Sequence, residues 1–469
     1  MSLAVVIMAA GKGTRLKSRR PKVLHEIGGK PLLAHVIAAA SKIVDPSDMY
    51  VVVGHQAEHV EAAVAASGVR FVLQAAQLGT GHAIQCAKEA IAAYDQVLVL
   101  SGDVPLIETA TIERLRDFHL RESAAMTILT ALPDNPFGYG RIVRKASETT
   151  PANSVEVEAI VEQKSLSSQQ EPIAEINTGI YAFGVTPLLA HLDELKAENR
   201  QQEYYLTDMA KLLVEAGERV VAVAAPSAEE VLGANTIAEL VALDATLRTK
   251  TAERLMAAGV TIFRPESCWI DADVEAGPDT VIEPHVQLLG KTRIGSDCLI
   301  RSGTVVENSS IADNVLIRQS CIITDSTVGN DAKIGPFAHL RPGSEIGEEA
   351  HIGNFVETKK AKVGKGAKAS HLTYLGDAIV GAGSNIGAGV ITCNYDGVNK
   401  HTTEIGEGVF VGSDSTLVAP IAIGNGAYIG AGSCITKEVP ADALAVGRSR
   451  QVTKEGWAAA RRARRNQSC

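Results

Sequence analysis

KIGPFAHLRPGSEIGEEAHIG, residues 333–353, places an aliphatic side chain at every sixth position: Ile334, Leu340, Ile346 and Ile352. The same beat runs outward in both directions. Upstream it reads Ile270, Ile282, Leu288, Ile294, Ile300 and Val306, with Ala276 the one weak member. It slips by one residue to Ile311, Ile317 and Ile323, and again to Val328. Downstream it resumes as Ile405, Val411, Leu417, Ile423, Ile429 and Ile435. A period of six fits neither a helix nor a simple strand alternation. It predicts a parallel β-helix, in which short strands stack as coils and the periodic side chains point inward. Glycine often follows the inward residue, as at Gly295, Gly329, Gly335, Gly347, Gly353, Gly406, Gly412, Gly424 and Gly430. The expected reason is the backbone conformation of a corner. Two gaps interrupt the beat, Val363 to Val380 and Ile386 to Ile405. Breaks in a regular coil are where binding or catalysis is expected.

A chain of 469 residues is too long for one ordinary core, so two or three domains are expected. Aromatic residues make up only 4%, which suits small aliphatic coils. A net charge of -9 argues against broad nucleic-acid binding. The basic cluster Arg461, Arg462, Arg464 and Arg465 is a local exception, read as a solvated terminus or an anion contact. Seven cysteines without a CxxC pair fit free thiols in a reducing compartment. The N-terminal apolar run is too short for a membrane span and ends in a glycine loop, so a cytoplasmic protein with no membrane partner is expected.

Residues 1–237 alternate strand and helix signals. Val5–Met8, Met49–Val53, Val72–Leu73 and Val97–Leu100 read as buried strands of a parallel α/β sheet. Ligands of such sheets sit at the loops after the strands. The loop Gly11-Lys12-Gly13-Thr14-Arg15 is neither GxGxxG, since Leu16 replaces the third glycine, nor a P-loop. It remains a turn able to approach phosphates, with Lys12, Arg15 and Lys22 supplying charge. Asp103 ends the apolar strand Val97–Leu100 beyond Ser101 and Gly102, a fitting place to hold Mg²⁺ against substrate phosphates.

Residues 238–258 form the connector. Thr236-Ile237-Ala238-Glu239 is a capping box, Ile237, Leu240, Val241, Leu247, Leu255 and Met256 form an apolar stripe, and Gly259 is the stop. The expected helix is a rigid spacer of ~30 Å.

Residues 259–469 hold the β-helix. His371 is its candidate general base. Arg341, Lys359, Lys360, Tyr374 and Asn385 lie on nearby coils and are expected to surround it. A zinc site is disfavoured, because His339, His351 and His371 are spaced by 12 and 20 residues where stacking on one face needs 18. Cys393 has no evident basic partner, which disfavours it as a covalent nucleophile.

The strings AAGKGTR, PKVLH, QLGTGHA, GDVPL, GYGRI, VEQK and EINTG occur in that order between Ala9 and Gly179. In them the chain resembles the sugar-phosphate nucleotidyltransferases, and among these the uridylyltransferase half of the bacterial bifunctional N-acetylglucosamine-1-phosphate uridylyltransferase / glucosamine-1-phosphate N-acetyltransferase family. LRPG, GNFVETKKA, SHLTYLGD, NIGAG, CNYDG and VGSD resemble the acetyltransferase half. The resemblance covers essentially the whole chain. It implies a Rossmann-like nucleotidyltransferase domain, a helical linker and a left-handed β-helix of hexapeptide repeats.

The resemblance also implies site residues. Met8, Ala9, Ala10 and Gly11 contact the nucleotide. Gln74, Gly79 and Thr80 recognise uracil. Arg15 and Lys22 neutralise the triphosphate of UTP and act in catalysis. Asp103 and Asn235 hold Mg²⁺. Ser101, Gly102, Gly140, Glu162, Asn177 and Asn235 complete the sugar-nucleotide site. In the β-helix, Arg341, Lys359, Tyr374 and Asn385 bind glucosamine-1-phosphate, and His371 takes a proton from its amino group. Ala388, Asn394, Tyr395, Ser413, Ala431 and Arg448 line the acetyl-CoA site, and the implied assembly is a homotrimer with that site between subunits. Three positions depart from the family pattern: Ser101 stands for a tyrosine, Ser370 for a frequent glycine and His339 for a frequent arginine. Two other readings stay open on the residues: a single-activity nucleotidyltransferase with a structural or regulatory β-helix, and a non-enzymatic scaffold with a degraded nucleotide pocket.

Overall fold

The apolar run after the first residues forms strand β1 (Leu3–Met8), flanked in register by β2 (Met49–Val53) and β4 (Gln96–Ser101). With β3 (Arg70–Leu73), β5 (Met126–Ala131), β6 (Ile176–Gly184) and β7 (Val220–Ala224) they make a sheet of order β7-β5-β6-β4-β1-β2-β3. The strands read as unbroken apolar runs because both faces are covered. Ala4, Val6, Val97 and Val99 pack into one core, and Val5, Ile7, Leu98 and Leu100 into the other. The sheet departs from the all-parallel expectation, since β6 runs antiparallel to both β4 and β5. The strands Arg141–Arg144 and Val157–Val161 extend it as an antiparallel pair. The computed structural model describes residues 1–145, 155–199 and 201–466. It divides into two compact units, Met1–Leu247 and Arg248–Cys469.

The connector helix spans Ile237–Ala257. Its capping box forms: the Glu239 carboxylate accepts from the Thr236 backbone N–H, and the Thr236 hydroxyl accepts from the Glu239 N–H, both at 3.2 Å. Gly259 ends it at φ +96°. The apolar stripe differs from expectation. Leu240 and Leu243 are buried against Ile27, Leu32, Leu106 and Ala234, with Leu247 packed alongside. Further along, Ala252 and Leu255 join the β-helix core. Ile237, Val241 and Met256 face solvent. The 3.6-residue period allows one narrow buried stripe, and the side chains spaced 240–243–247 occupy it.

In the second unit, three parallel sheets of 11, 10 and 9 short strands form the three faces of a β-helix. One ladder runs Val281, Leu299, Leu316, Lys333, His351, Lys368, Asn385, Phe410, Tyr428, Leu444. The aliphatic residues of the six-residue beat are buried along the whole stack. Two expectations are corrected here. The gap from Val363 to Val380 is not a break, because Lys368–His371, Tyr374–Gly376 and Ala378–Val380 continue all three ladders. Ala369 and Leu375 fill its inward positions, and the phase then slips to Val380. In the second gap the buried Thr392 keeps the beat, and only residues 394–402 leave the coil. That insertion stretches one ladder step from Asn385 to Phe410.

The glycines after the inward residues also serve a different purpose from the one expected. Of the nine, only Gly335 has a positive φ. Seven of the others sit where the next coil passes too close for a side chain, and at Gly430 the nearest atom is the Val446 side chain at 3.1 Å. A Cβ at Gly329 would lie 2.7 Å from the Glu348 nitrogen, and one at Gly347 2.7 Å from the Val363 carbonyl oxygen. The left-handed corners fall elsewhere, often on Asp or Asn, as at Asp297, Asn314 and Asp331. Six cysteines are free thiols, and the seventh, Cys469, lies outside the described residues. Burial pushes the Cys321 thiol up to about 11. Among the described residues no helix is long and apolar enough to cross a membrane.

Candidate active sites

The C-terminal ends of β1 and β4 open into a cleft of about 610 Å³. Met8, Ala9, Ala10, Gly11, Arg15, Lys22, Gln74, Gly79, Thr80, Ser101, Asp103 and Asn235 all line it, so the expected nucleotide residues are brought together. The glycine loop ends in a short turn, Thr14–Leu16, anchored by the buried Leu16. That explains why an aliphatic residue replaces the third glycine of the dinucleotide motif. Gly13, at φ +60°, lies against Lys22, where a Cβ would come within 2.7 Å of the Lys22 Cβ. The loop thereby holds the Lys22 stem in place.

Charge concentrates at one point of the cleft. Lys22 Nζ forms an ion pair with Asp103 Oδ2 and donates to Asn235 Oδ1 at 3.0 Å. Arg15 Nη2 donates to the same Asn235 oxygen at 2.6 Å. One carboxylate and one amide oxygen are hard donors, and Mg²⁺ typically takes few protein oxygens beside substrate phosphates. Asp103 and Asn235 fit that pattern.

The buried Gln74 side chain donates to the Gly79 carbonyl at 3.0 Å, and its backbone carbonyl accepts from Gln77 at 2.9 Å. The Thr80 hydroxyl accepts from the Leu206 N–H at 3.0 Å. Gln77, Glu203 and Tyr205 also line the cleft and escaped the sequence reading. Only the fold brings residues 203–205 back against the Gly79 turn.

A second hollow of about 300 Å³ shares Arg15, Ser101, Asp103 and Asn235 with the first and is bounded by Phe137, Tyr139, Thr178 and Glu239. The two therefore meet at the Asp103 end. Gly140, Glu162 and Asn177 do not line either cavity but sit beside them. The Asn177 N–H donates to the Gly140 carbonyl at 2.9 Å, and the Asn177 amide donates to Tyr181 Oη at 2.9 Å. Glu162 Oε1 faces the Gly140 Cα, where a Cβ would lie 3.6 Å away. Burial, with Asp208 nearby, raises the Glu162 pKa. Gly102 lies under Met8 and serves the turn, its N–H donating to the Met8 carbonyl at 3.0 Å. Ser101 Oγ donates to the Gly179 carbonyl at 3.3 Å.

In the β-helix the expected residues fall on two faces. His371 ends the strand Lys368–His371, and its register partner on the preceding coil is Asn354. Extending the registers Ala369↔Ile386, Ile386↔Val411 and Val411↔Ile429 by two residues puts His371, Ala388, Ser413 and Ala431 in one column. His371, the expected base, and three expected acetyl-CoA residues thus share one edge. Arg448 is beside it, its Cδ 3.8 Å from where a Cβ on Gly432 would sit. Asn385 lies on the same face, opposite Lys368.

Arg341, Lys359 and Tyr374 belong to the next face. Tyr374 begins its strand three residues after His371, and its register partner Glu357 holds the Arg341 guanidinium, whereas Lys359 aligns with Gly376 at the far end. The Tyr374–Gly376 strand therefore lies between Lys359 and the corner that follows His371. Of Arg341, Lys359, Lys360, Tyr374 and Asn385, expected around His371, Asn385 shares its face, Tyr374 opens the next strand, and Lys359 stands at that strand's far end, followed by Lys360. Arg341 Nη1 pairs with Glu357 Oε1 at 2.8 Å, which raises the Arg341 pKa. Lys359 meets Lys400 from the inserted loop, and that contact, with Arg341, lowers the Lys359 pKa. Glu357 and Lys400 were not singled out by sequence, since their partners are set by the ladder and the loop.

The inserted loop, residues 394–402, is built around Asp396, which accepts from the Asn399 and Val398 N–H groups and from His401 Nε2. These bonds hold its carboxyl down at about 2, the Asn399 N–H most of all. Asn394 Nδ2 donates to Asp377 Oδ2, and Tyr395 is exposed on the loop. Of the histidines weighed for zinc, His339 lies on a different face from His351 and His371.

A family model described as the MobA-like NTP transferase domain matches residues 5–203. The bacterial transferase hexapeptide (six repeats) matches residues 325–360 and 402–437, the repeat of a left-handed β-helix. The "Bifunctional protein GlmU" of Koribacter versatilis is 61% identical over 460 residues, covering 98% of this chain and 97% of that protein. The protein of the same name in Syntrophotalea carbinolica is 50% identical, covering 97% and 96%. That of Solibacter usitatus is 49% identical, covering 98% and 97%. With both halves matched, and relatives this close aligned almost end to end, the chain belongs to the family of bifunctional GlmU proteins.

Proposed function

We infer that this chain is a two-site enzyme that makes UDP-N-acetylglucosamine. The β-helix transfers an acetyl group from acetyl-CoA to glucosamine-1-phosphate. The N-terminal unit joins the resulting N-acetylglucosamine-1-phosphate to UTP and releases pyrophosphate. The observation that carries the second step is the meeting of a larger and a smaller hollow at Arg15, Ser101, Asp103 and Asn235. The larger suits the nucleotide and the smaller the sugar, with the phosphates between them.

In uridylyl transfer a phosphate oxygen of the sugar attacks the α-phosphorus of UTP, and the bond to pyrophosphate breaks. The chemistry needs positioning and charge neutralisation rather than a covalent enzyme intermediate. Arg15 and Lys22 supply fixed positive charge, Gln74, Gly79 and Thr80 hold the base, and Gly140, Glu162 and Asn177 hold the sugar. Mg²⁺, when bound by Asp103 and Asn235, adds further charge at the phosphates.

In acetyl transfer His371 takes a proton from the sugar's amino group. The nitrogen bonds to the thioester carbonyl carbon, the C–S bond breaks, and the CoA sulfur leaves and collects the proton. Backbone N–H groups of the glycine-rich coils are suited to the oxyanion. Ala388, Ser413 and Ala431 leave a shallow, small-residue track for CoA, with Asn394, Tyr395 and Arg448 along it.

We read the assembly as a homotrimer, supported by the spread of the expected sugar-phosphate residues over two faces of the coil. Lys359 stands a strand's length from His371, on the next face of the coil. A second copy that sets its phosphate-binding face against the His371 edge completes the site. Use of UTP and acetyl-CoA supports a cytoplasmic setting. The two domains are read as residues 1–237 and 259–469, joined by 238–258.

The test measures CoA-thiol release and pyrophosphate release side by side, in wild type and in His371→Ala. Wild type performs both, and the variant loses thiol release alone. A folded wild type without thiol release would leave a single-activity nucleotidyltransferase.

A further inference from the structure

Asn354 closes the strand His351–Asn354 and pairs in register with His371 on the next coil. In-register neighbours of a parallel ladder lie ~4.8 Å apart with side chains on the same side. The Asn354 side-chain oxygen, Oδ1, is buried and has no hydrogen-bond partner among the described residues. A buried amide oxygen calls for a donor. The imidazole of its register neighbour His371, exposed and not bonded to it in the single chain, carries one at Nδ1 in one of its tautomers.

We propose that Asn354 is the positioning residue of acetyl transfer, its Oδ1 accepting the Nδ1–H of His371. That bond fixes the tautomer whose Nε2 is free to take the amine proton, since the partner of one ring nitrogen decides the state of the other. This rests on the reading of His371 as the base. A neutral amide suits this role because it orients the ring without adding a negative charge that would hold the imidazole protonated. The charged groups on this face are cationic or titratable: Lys368 lies on the strand of His371, His351 on that of Asn354, Lys333 and Arg318 act on His351 from the preceding coils, and Asn385–Ile386 on the following coil brings none. Ala388 follows His371 in the column, so the side of the ring away from Asn354 is open to substrate.

The experiment compares wild type, Asn354→Ala, Asn354→Asp and His371→Ala, full-length, in both half-reactions across pH. In Asn354→Ala, kcat for acetyl transfer falls roughly tenfold to a hundredfold. KM for both acetyl-transfer substrates stays within about threefold, and uridylyl transfer is unchanged. Asn354→Asp recovers part of the rate, and the acidic limb of its pH profile moves to higher pH, because a carboxylate beside the ring favours its protonated form. An Asn354→Ala enzyme with wild-type kcat and pH profile overturns the proposal. So does an Asn354→Asp enzyme whose acidic limb stays in place. Acetyl transfer surviving in His371→Ala would instead overturn the underlying assignment of the base.

Discussion

Lys22 and Asp103 form an ion pair at the mouth of the nucleotide cleft, and the same ammonium donates to Asn235 at 3.0 Å. The pair joins a loop after the first strand to the end of the fourth. It holds a lysine and a would-be metal ligand in one place before any phosphate arrives. Asp103→Asn is therefore expected to cut pyrophosphate release by about 10²-fold or more. Its residual rate should need more Mg²⁺, and CoA-thiol release should not change. A Mg²⁺ titration of both half-reactions checks this.

Leu240 and Leu243 pack against Ile27, Leu32 and Leu106, so the first part of the connector helix belongs to the N-terminal core. A chain ending at Lys250 should fold and retain uridylyl transfer without acetyl transfer. A chain ending at Ile237 lacks both leucines and loses about 1.5–3 kcal/mol for each. Thermal melting and pyrophosphate release of the two truncations distinguish these outcomes.

Gly347 lies where a Cβ would meet the next coil's backbone at 2.7 Å. Gly347→Ala must push two coils apart, an overpacking change that typically costs about 1–3 kcal/mol. The β-helix transition should move down in temperature. A substitution at Gly366, where φ is +64° but nothing lies within 4 Å of an added Cβ, separates conformational strain from this clash.

His119 is buried between Thr127 and Gln96, hydrogen-bonded to each at 2.8 Å. Burial lowers its pKa from 6.5 to about 4. The unfolded chain therefore binds the proton more readily. The contribution to stability is full above about pH 6.5 and is lost as pH falls toward 4, up to roughly 3 kcal/mol. Chemical denaturation of the 1–250 chain at pH 7.5 and pH 5 should show part of this loss. His119→Gln should flatten the dependence.

Lys359 and Lys400 stand together, with Arg341 adding to the positive field. A bound phosphate would relieve that repulsion. Lys400→Ala should raise KM for glucosamine-1-phosphate about tenfold, the worth of one charge-assisted hydrogen bond. Its kcat should change little, which initial-rate kinetics on acetyl transfer can show.

Sequence alone determined what depends on local pattern. The six-residue beat from Ile270 to Ile435 specified a β-helix because inward positions recur at fixed spacing in any stack of short strands. Val5–Met8, Met49–Val53 and the glycine loop specified a sheet with a ligand at its strand ends, and Thr236-Ile237-Ala238-Glu239 marked a helix start. Tertiary structure decided what depends on neighbours far along the chain. Most of the glycines after inward residues owe their identity to the neighbouring coil, not to their own φ. Ala369 looked like a break because a small inward residue carries no periodic signal, yet its ladder is continuous. β6 runs backward through the sheet, a direction no local pattern encodes. Arg341 and Lys359 looked close to His371 in chain order, but a coil turns a short sequence distance into a different face. Whether residues share a column or oppose one another across a corner is set by register, and register is set by packing.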